Sequence, residues 1–361
     1  LEEDLRNIVD VGTDVINNNA VDAYVKSLIN RIGKVVFVNR KYSGSVPSVL
    51  MDAWQFGSVV EKIRGELPEA TENESWELTD GTVYEENIFY QPKVSAKFFN
   101  KRTTFEIPMS FTEMQVKQSF ASAGELNAFI SMLYNEIDKS MTLKTDSLIM
   151  RTINNAIAET VYSEYGATGL DTKSGIRAIN LLKMYNDTYA ATLTAEQAVK
   201  NKDFLRYAVY MMGIMKDRLN KMSTLFNIGG KARFTPDDML HFVLLSEFAR
   251  AADGYLQSDT YHNEFVKLPK AEIVTYWQGS GTDYGFASTS KIDVITAENH
   301  NITVTGVIGV MFDRDALGVT NVNRRVTSKY NAKAEFYNNW YKADAGYFND
   351  FDENCIVFFV A

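Results

Sequence analysis

The longest regular pattern in the chain is an apolar stripe at helical spacing between residues 122 and 161. It begins after Ser122-Ala-Gly-Glu125, a sequence typical of the capping box at a helix N-terminus. The apolar positions then recur every three or four residues, and they are Leu126, Phe129, Ile130, Leu133, Ile137, Met141, Leu148, Ile149, Ile153 and Ile157. The stripe predicts a single helix of about 37 residues, roughly 55 Å long at 1.5 Å per residue. A helix of that length exceeds what a compact domain needs.

Shorter patterns predict further elements on both sides of this helix. Residues 19–32 place apolar side chains on one helical face, and Gly33 ends the pattern. Residues 203–222 carry a second clear helical stripe, and residues 246–252 predict a short helix. Between these two, residues 239–245 have the composition of a strand. The region from residue 162 to about 305 is therefore expected to be a mixed helix and strand lobe.

Residues 54–108 show the period-two alternation of a long hairpin, with a returning strand over residues 93–107. In that strand Val94, Ala96 and Phe98 alternate with polar neighbours, so the strand has an apolar face and a polar face. An isolated hairpin of this kind is only marginally stable in water. The hairpin is therefore expected to lie against a neighbour.

The C-terminal residues 305–361 predict apolar strands around the short acidic turn 313–318. An aromatic strand is expected at residues 336–341, and the chain ends on a run of apolar residues. Cys355 lies in that run and is the only cysteine among 361 residues, so it cannot form an internal disulfide. We expect it to be a buried thiol without a reactive role.

Composition and charge narrow the class of protein. Hydrophobic residues make up 45% of the chain, as in ordinary globular proteins. No apolar run approaches the roughly 20 residues that span a bilayer, which predicts a soluble chain without a membrane anchor. The net charge of −9 is concentrated between Gly65 and Pro92, a segment that has no Lys or Arg. The acidic residues of that segment are Glu66, Glu69, Glu72, Glu74, Glu77, Asp80, Glu85 and Glu86.

Residues that could support catalysis or metal binding are few. The histidines are His241, His262 and His300, and none has a metal-binding spacing to another His, a Cys or a carboxylate. Asp313 and Asp315, or Asp237 and Asp238, could ligate a hard cation such as calcium, but two carboxylates in a turn more often cap a helix or remain solvated. The sequence therefore predicts no catalytic residue, no metal site and no cofactor.

The ending of the chain resembles that of a known family. Gly306-Val-Ile-Gly-Val-Met-Phe-Asp-Arg-Asp-Ala-Leu-Gly318, the aromatic strand 336–341 and the apolar last strand are similar to the end of tailed-phage major capsid proteins. Residues 17–36 resemble the entry from arm to core in the short-tailed phages of Gram-positive hosts. The resemblance covers essentially the whole chain, and its motifs are architectural.

This resemblance implies an α+β fold of the Hong Kong 97 type. The implied parts are an N-terminal arm (1–53), an extended loop (54–108), a spine helix in the peripheral domain (109–165), an axial domain (166–305) and the C-terminal strands of the peripheral domain (306–361). The implied role is self-assembly, as hexamers and pentamers, into the icosahedral shell around double-stranded DNA. The implied locations are the virion and, during assembly, the host cytoplasm.

The implied partners are further copies of the chain, and also scaffolding, portal and decoration proteins and non-specifically contacted DNA, with no membrane. Two alternatives stay open at this point. One is the shell of a bacterial nanocompartment, which has the same fold. The other, from a different class, is an enzyme whose site uses carboxylates and tyrosines alone.

The acidic segment has two interpretations, a solvated loop that maintains solubility or an intermolecular contact. Aromatic residues interleave with the acids, and such a surface gains little from pointing into water. We therefore hypothesise that this loop docks on a basic surface of a neighbouring subunit. The candidate contact residues are Glu66, Glu69, Glu72, Glu74, Trp76, Glu77, Glu85, Glu86, Phe89, Tyr90, Arg324, Arg325 and Lys329.

Overall fold

The structure is a computed structural model. The chain folds into two compact units. The predicted helix over residues 19–32 lies outside the described residues. The structure describes residues 46–51, 60–84, 86–112, 123–166, 170, 175–258, 269–278, 285–296 and 299–361.

The first unit is built on a four-stranded sheet with the strand order β1-β11-β12-β4. These strands are β1 (Leu50–Met51), β11 (Leu317–Asn331), β12 (Phe336–Asn349) and β4 (Arg102–Thr112). Strand β1 pairs parallel with β11, and β12 pairs antiparallel with β4 along the full length of β4. The predicted aromatic strand 336–341 is confirmed as the first part of β12.

A helix covers one face of this sheet. It is α1 (Ala123–Tyr165), and in the first unit its residues Ile137 and Met141 pack with Tyr341 and Ala343 of β12. Apolar residues of β4 complete this small core. The sheet can bury only one face against a helix, so its strands alternate between apolar and polar positions.

The helix α1 has 43 residues, about 65 Å at 1.5 Å per residue. This confirms the single long helix that the apolar stripe predicts. Its C-terminal part belongs to the second unit, where Ile153, Ile157 and Val161 are fully buried. The proposed capping box at the start of the helix falls largely outside the described residues.

The second unit contains a five-stranded sheet with the strand order β5-β13-β10-β6-β7. Its strands are β5 (Ala178–Asn180), β6 (Leu240–Leu245), β7 (Glu272–Val274), β10 (Val307–Asp313) and β13 (Cys355–Phe359). Every residue of the central strand β10 is buried. The apolar runs of β6, β10 and β13 therefore behave as strands covered on both faces.

Helices pack on this sheet around a core that includes Phe204, Met212, Phe248 and Phe358. They are α2 (Leu181–Tyr189), α3 (Ala195–Ala198), α4 (Lys202–Leu219), α5 (Ser246–Ser258) and α6 (Phe286–Thr289). Strands β8 (Ile292–Ile295) and β9 (Asn301–Val304) form a separate two-stranded sheet. The predicted helix 203–222 and strand 239–245 are confirmed, and the short helix from residue 246 extends to Ser258.

The long hairpin differs from its prediction in one respect. Strands β2 (Val60–Gly65) and β3 (Val94–Phe99) pair antiparallel, and the hairpin ends there. The expected returning strand 93–107 is divided in two, because residues from Arg102 onward pair with β12 as strand β4. The two halves belong to different compact units.

Cys355, at the start of β13, carries a free thiol on a partly buried residue, so the expected burial is found in part. Burial raises the pKa of this thiol to about 11. Because the thiolate is the reactive form, we expect Cys355 of the folded protein to react slowly with a disulfide reagent at pH 8 and quickly after unfolding in urea. Equal rates in the two states would contradict burial of the thiol.

Candidate assembly surfaces

The acidic segment forms a long loop at the end of the β2–β3 hairpin. We call residues 66–92 the acidic loop. Apart from Glu85, which is outside the described residues, its backbone is irregular except for a short 3₁₀ turn at Glu74–Trp76 and a turn at Gly81, where φ is 83°. Its described side chains are exposed. Glu66 lies nearest the hairpin, and its carboxylate is 3.5 Å from the ammonium group of Lys231.

Large apolar side chains of the acidic loop point into solvent. Trp76 is 95% exposed, Phe89 85% and Tyr90 80%. Val83 and Leu67 are also exposed. Large apolar groups on a monomer surface mark an interaction site when they lie together, and here they share one loop. The loop therefore has the composition of a contact surface with an acidic rim.

The hairpin strands carry their apolar residues on the outer face. Ile63, Val94 and Phe98 are 64%, 61% and 64% exposed. The inner face consists of Lys62, Arg64, Ser95, Lys97 and Phe99, which are partly buried. The alternation predicted from the sequence is present, but the polar face is the one that packs against the protein.

The inner face contacts a group of carboxylates that we call the acidic cradle, which consists of Asp315, Asp350, Asp352 and Glu353. Lys97 Nζ donates a hydrogen bond to Asp350 Oδ1 at 3.0 Å and lies 2.5 Å from Asp352 Oδ2. Lys62 Nζ lies 3.4 Å from Asp350 Oδ2 and donates a hydrogen bond to the Asp315 carbonyl. The two lysines thus share the buried carboxylate of Asp350.

Two aromatic rings and two arginines complete the contact. The ammonium group of Lys62 lies 4.6 Å from the ring centre of Phe348 and 5.7 Å from that of Phe99. Arg64 Nη1 lies 2.7 Å from Glu353 Oε1, and Arg233 Nε lies 3.7 Å from the same oxygen. Glu353 is almost completely buried, so its charge needs these cations close by.

The acidic cradle is itself held by two linked turns. In the first turn Asp313, which is buried, accepts hydrogen bonds from the Thr235 hydroxyl at 2.7 Å and from the Asp315 N–H at 2.9 Å. The Asp350 N–H donates to the Ala316 carbonyl at 2.6 Å and joins the first turn to the second. Asp313 therefore stabilises its own turn from a buried position, whereas the conservative interpretation of the sequence expected a helix cap or a solvated carboxylate.

The electrostatic effect of the contact differs between carboxylates. Burial opposes the charge of Asp350, but the hydrogen bond from Lys97 and the charges of Lys62 and Lys97 outweigh it and lower the pKa of Asp350 below 3.8. Burial also opposes the charge of Lys97, but hydrogen bonds to Asp352 and Asp350 raise its pKa above 10.5. At Glu353 burial prevails and raises the pKa above 4.5.

A comparison with protein families decides the identity of the chain. The model of the Phi29-like phage major capsid protein family matches residues 2–359. The chain belongs to this family. It is thus a shell-forming structural protein of the phage virion, and this assignment favours the phage capsid over the nanocompartment shell. No curated protein matches the chain.

Solved structures give this capsid protein the same fold. The capsid structure of Staphylococcus phage Andhra matches with a TM-score of 0.53 and 10% identity, covering 91% of this chain and 89% of that one. A structure of native bacteriophage P68, titled for its head fibre and inner core protein, matches with a TM-score of 0.53 and 9% identity, covering 91% and 87%. The capsid protein has the Hong Kong 97-type fold that the sequence resemblance implies.

The basic residues expected to receive the acidic loop lie in the exposed part of β11. Arg324 Nη1 is 2.7 Å from Asp138 Oδ1, and Arg325 is paired with Asp344, whose pKa is lowered by this partner and by a hydrogen bond from Thr104. Lys329 lies exposed further along the strand. The structure therefore brings the three cations to one strand, but two of them already have carboxylate partners in the same chain.

The sequence did not predict the acidic cradle. Its signal is present, because Asp350-Phe-Asp-Glu353 holds three acids in four residues and the bases Lys62, Arg64 and Lys97 occupy alternate positions of paired strands. What the sequence could not show is that these segments meet, since more than 250 residues separate them.

Among the residues that the structure describes, no three His, Cys, Asp or Glu side chains of the capsid protein come together in a way that could hold a metal ion. Within the same residues, none of the helices combines the length and the hydropathy that a bilayer crossing requires.

Proposed function

We propose that the acidic loop of one subunit docks on the basic part of the β11–β12 hairpin of a neighbouring subunit and so links copies of the chain within the shell. The observation that supports this most directly is the exposure of Trp76, Phe89 and Tyr90 on a loop without any basic residue. A contact that buries these rings and pairs the acids removes both unfavourable features at once. The acidic loop is then the segment by which one subunit overlaps the next.

The receiving surface has the complementary charge and a similar mixture of side chains. We call Arg324, Arg325, Lys329 and Lys333 the basic patch, and all four are exposed. Val326, Tyr330 and Tyr337 are exposed among them, and the two tyrosine rings lie 4.7 Å apart. Opposite charges at the rim with aromatic groups between them favour one register of docking and a fast encounter.

The ion pair that Arg324 makes within its own chain opposes this docking little. Arg324 and Asp138 are both substantially exposed, and exposed ion pairs contribute little to stability. Arg325 is exposed, but its partner Asp344 is only 15% exposed, so this second pair is held more firmly. An incoming loop can offer several carboxylates to the same guanidinium groups. We therefore expect these side chains to exchange partners when subunits meet.

Reversing the charge of the basic patch tests the docking. We expect Arg324→Glu, Arg325→Glu and Lys329→Glu together to shift the product from closed particles to free subunits, measured by negative-stain electron microscopy and by light scattering after size-exclusion chromatography. Lys101→Glu, Arg102→Glu and Lys144→Glu, at exposed residues outside the lobe 166–305 and outside the acidic loop, together form the matched control and should leave particle yield unchanged.

A compensating change makes the test specific. Glu69→Lys, Glu72→Lys and Glu77→Lys on the acidic loop should also prevent assembly alone, and should restore it when combined with the reversed basic patch. Unchanged particle yield after reversal of the patch would show that the loop docks elsewhere. That outcome would leave the family assignment intact.

The arrangement in the shell follows from the same fold. We infer that the subunits form hexamers and pentamers through the lobe of residues 166–305, while the hairpin links neighbours. We further infer double-stranded DNA inside the shell, screened without sequence recognition, and scaffolding, portal and decoration proteins as partners. Assembly in the host cytoplasm completes the proposal. Particles purified from infected cells should contain DNA protected from nuclease, which an empty or cargo-filled shell would lack.

A further inference from the structure

The hairpin is attached to its own unit mainly through charge. Its outer face bears the exposed apolar residues Ile63, Val94 and Phe98, and its inner face bears Lys62, Arg64 and Lys97 against the acidic cradle. One apolar contact adds to these pairs, since the rings of Phe99 and Phe348 lie 5.1 Å apart. A hairpin in water usually buries its apolar face and leaves its charges in solvent. The contact that holds this hairpin is therefore mainly ionic.

We propose that Lys62, Arg64 and Lys97, together with the acidic cradle, form a latch that fixes the direction in which the hairpin carries the acidic loop, and that the latch opens when its charges are screened or reversed. The latch would be a positioning device, since the contacts described for it lie within its own subunit. It keeps the apolar face outward and aims the loop at the next subunit. Only this last consequence rests on the proposed function.

The two sides of the latch differ in strength. On the lysine side, Asp350 receives a hydrogen bond from Lys97 and faces the ammonium group of Lys62. On the arginine side, the buried Glu353 Oε1 and Arg233 Nε lack an aligned hydrogen bond among the described residues, although Arg64 lies 2.7 Å from that oxygen. A buried charge whose hydrogen bonds are incomplete gains less from its pairing. We therefore expect the latch to open from the arginine side.

Acid should act on the same side first. The groups that face Glu353 are Arg64 on β2 together with Arg233, Asp313 and Asp350. Because the pKa of Glu353 is raised in the folded protein, its proton uptake as the pH falls toward that raised value favours the folded unit while it removes the attraction to Arg64. The pKa of Asp350 is lowered, so its stabilising charge is present above 3.8 and is lost only as pH falls through the depressed value.

Hydrogen exchange on full-length, unassembled subunits tests the latch. We expect Lys97→Glu to raise the exchange of the β2 and β3 amides at least tenfold, because it places a third like charge beside Asp350 and Asp352. Asp352→Lys should raise it as well, and the double variant Lys97→Glu/Asp352→Lys should restore protection. Both side chains are partly exposed, so the variants are compatible with folding.

Controls separate the latch from general unfolding. Lys93→Glu changes the same charge at an exposed position next to β3 and should leave exchange unchanged. Strand β10 reports the folding of the unit and should stay protected in every variant, and if Lys97→Glu disturbs it, the milder Lys97→Ala takes its place. In the unaltered protein, 1 M salt shortens the screening length to about 3 Å and should weaken the partly exposed Lys97–Asp352 pair more than the pairs of the buried Asp350, so exchange should rise in β2 and β3 but not in β10.

Either of two results would overturn the latch. The first is that the β2 and β3 amides of the Lys97 variants exchange at the wild-type rate while β10 stays protected. The second is that these amides exchange as fast in the double variant Lys97→Glu/Asp352→Lys as in the single variants. Since these measurements use free subunits, they are independent of the docking of the acidic loop. If reversing the charges of the basic patch left particle yield unchanged, the proposal of the latch would be unaffected.

Discussion

Replacing Trp76, Phe89 and Tyr90 with serine should raise the subunit concentration needed for particle formation at least tenfold while leaving the stability of the free subunit unchanged. All three rings are 80% exposed or more, so removing them breaks no contact within the subunit, and surface changes of this kind stay within about 0.5 kcal/mol. In a docked loop the same rings would be the buried anchors, for which truncation costs about 2 kcal/mol or more each. Every subunit repeats that loss.

Two measurements on the same preparation check this expectation. Urea unfolding of unassembled subunits should give the wild-type midpoint, and the subunit concentration needed for particle formation should rise at least tenfold. Serine at Leu143, which is 56% exposed and lies outside the lobe 166–305, is a control that removes apolar surface from another place. Normal particles from the triple loop variant would exclude the rings as anchors.

The largest loss of subunit stability is expected from Trp277→Ala. Trp277 is 1% exposed, its indole N–H donates to the Val307 carbonyl at 2.8 Å, and its own carbonyl accepts from Asn154 Nδ2 at 2.8 Å. Removing a buried tryptophan leaves a large cavity and costs about 3–5 kcal/mol. The free energy of unfolding in urea, measured on unassembled subunits, should fall by that amount.

The chain supplies its own control for this substitution. Trp76→Ala makes the same chemical change at a side chain that is 95% exposed, and it should leave the free energy of unfolding within about 0.5 kcal/mol of the wild-type value. Trp277→Phe retains most of the apolar contact and leaves the Val307 carbonyl without its donor, at a cost of about 1–3 kcal/mol. A Trp277→Ala protein as stable as Trp76→Ala would mean that the burial of Trp277 is wrong.

Elements with a local pattern could be predicted from the sequence. The long helix follows from apolar residues repeated every three or four positions up to Ile157, and the burial of Ile153 and Ile157 confirms the face that the stripe selects. The strands β6, β10 and β13 could be predicted because they are short apolar runs between turn residues. These signals need no knowledge of what lies opposite.

Features that depend on distant partners could not be predicted. Period-two alternation shows that β3 has two faces, but which face turns inward depends on Asp350, Asp352 and Glu353, far away in the chain. In the same way, the division of the returning strand after Phe99 depends on the pairing of β4 with β12. The candidate contact between the acidic loop and the basic patch involves two subunits, so it remains a prediction for a single chain as well.

The absence of any base in the acidic segment also bears on contacts between wrong partners. Exposed rings such as Trp76 and Phe89 can associate with the same rings of another subunit as well as with the basic patch. Two loops that approach one another, however, bring together two sets of carboxylates, and this repulsion makes loop-to-loop pairing costly. The acids of the loop would thus disfavour association of newly made subunits through two acidic loops. The basic patch would then be the partner that relieves the repulsion.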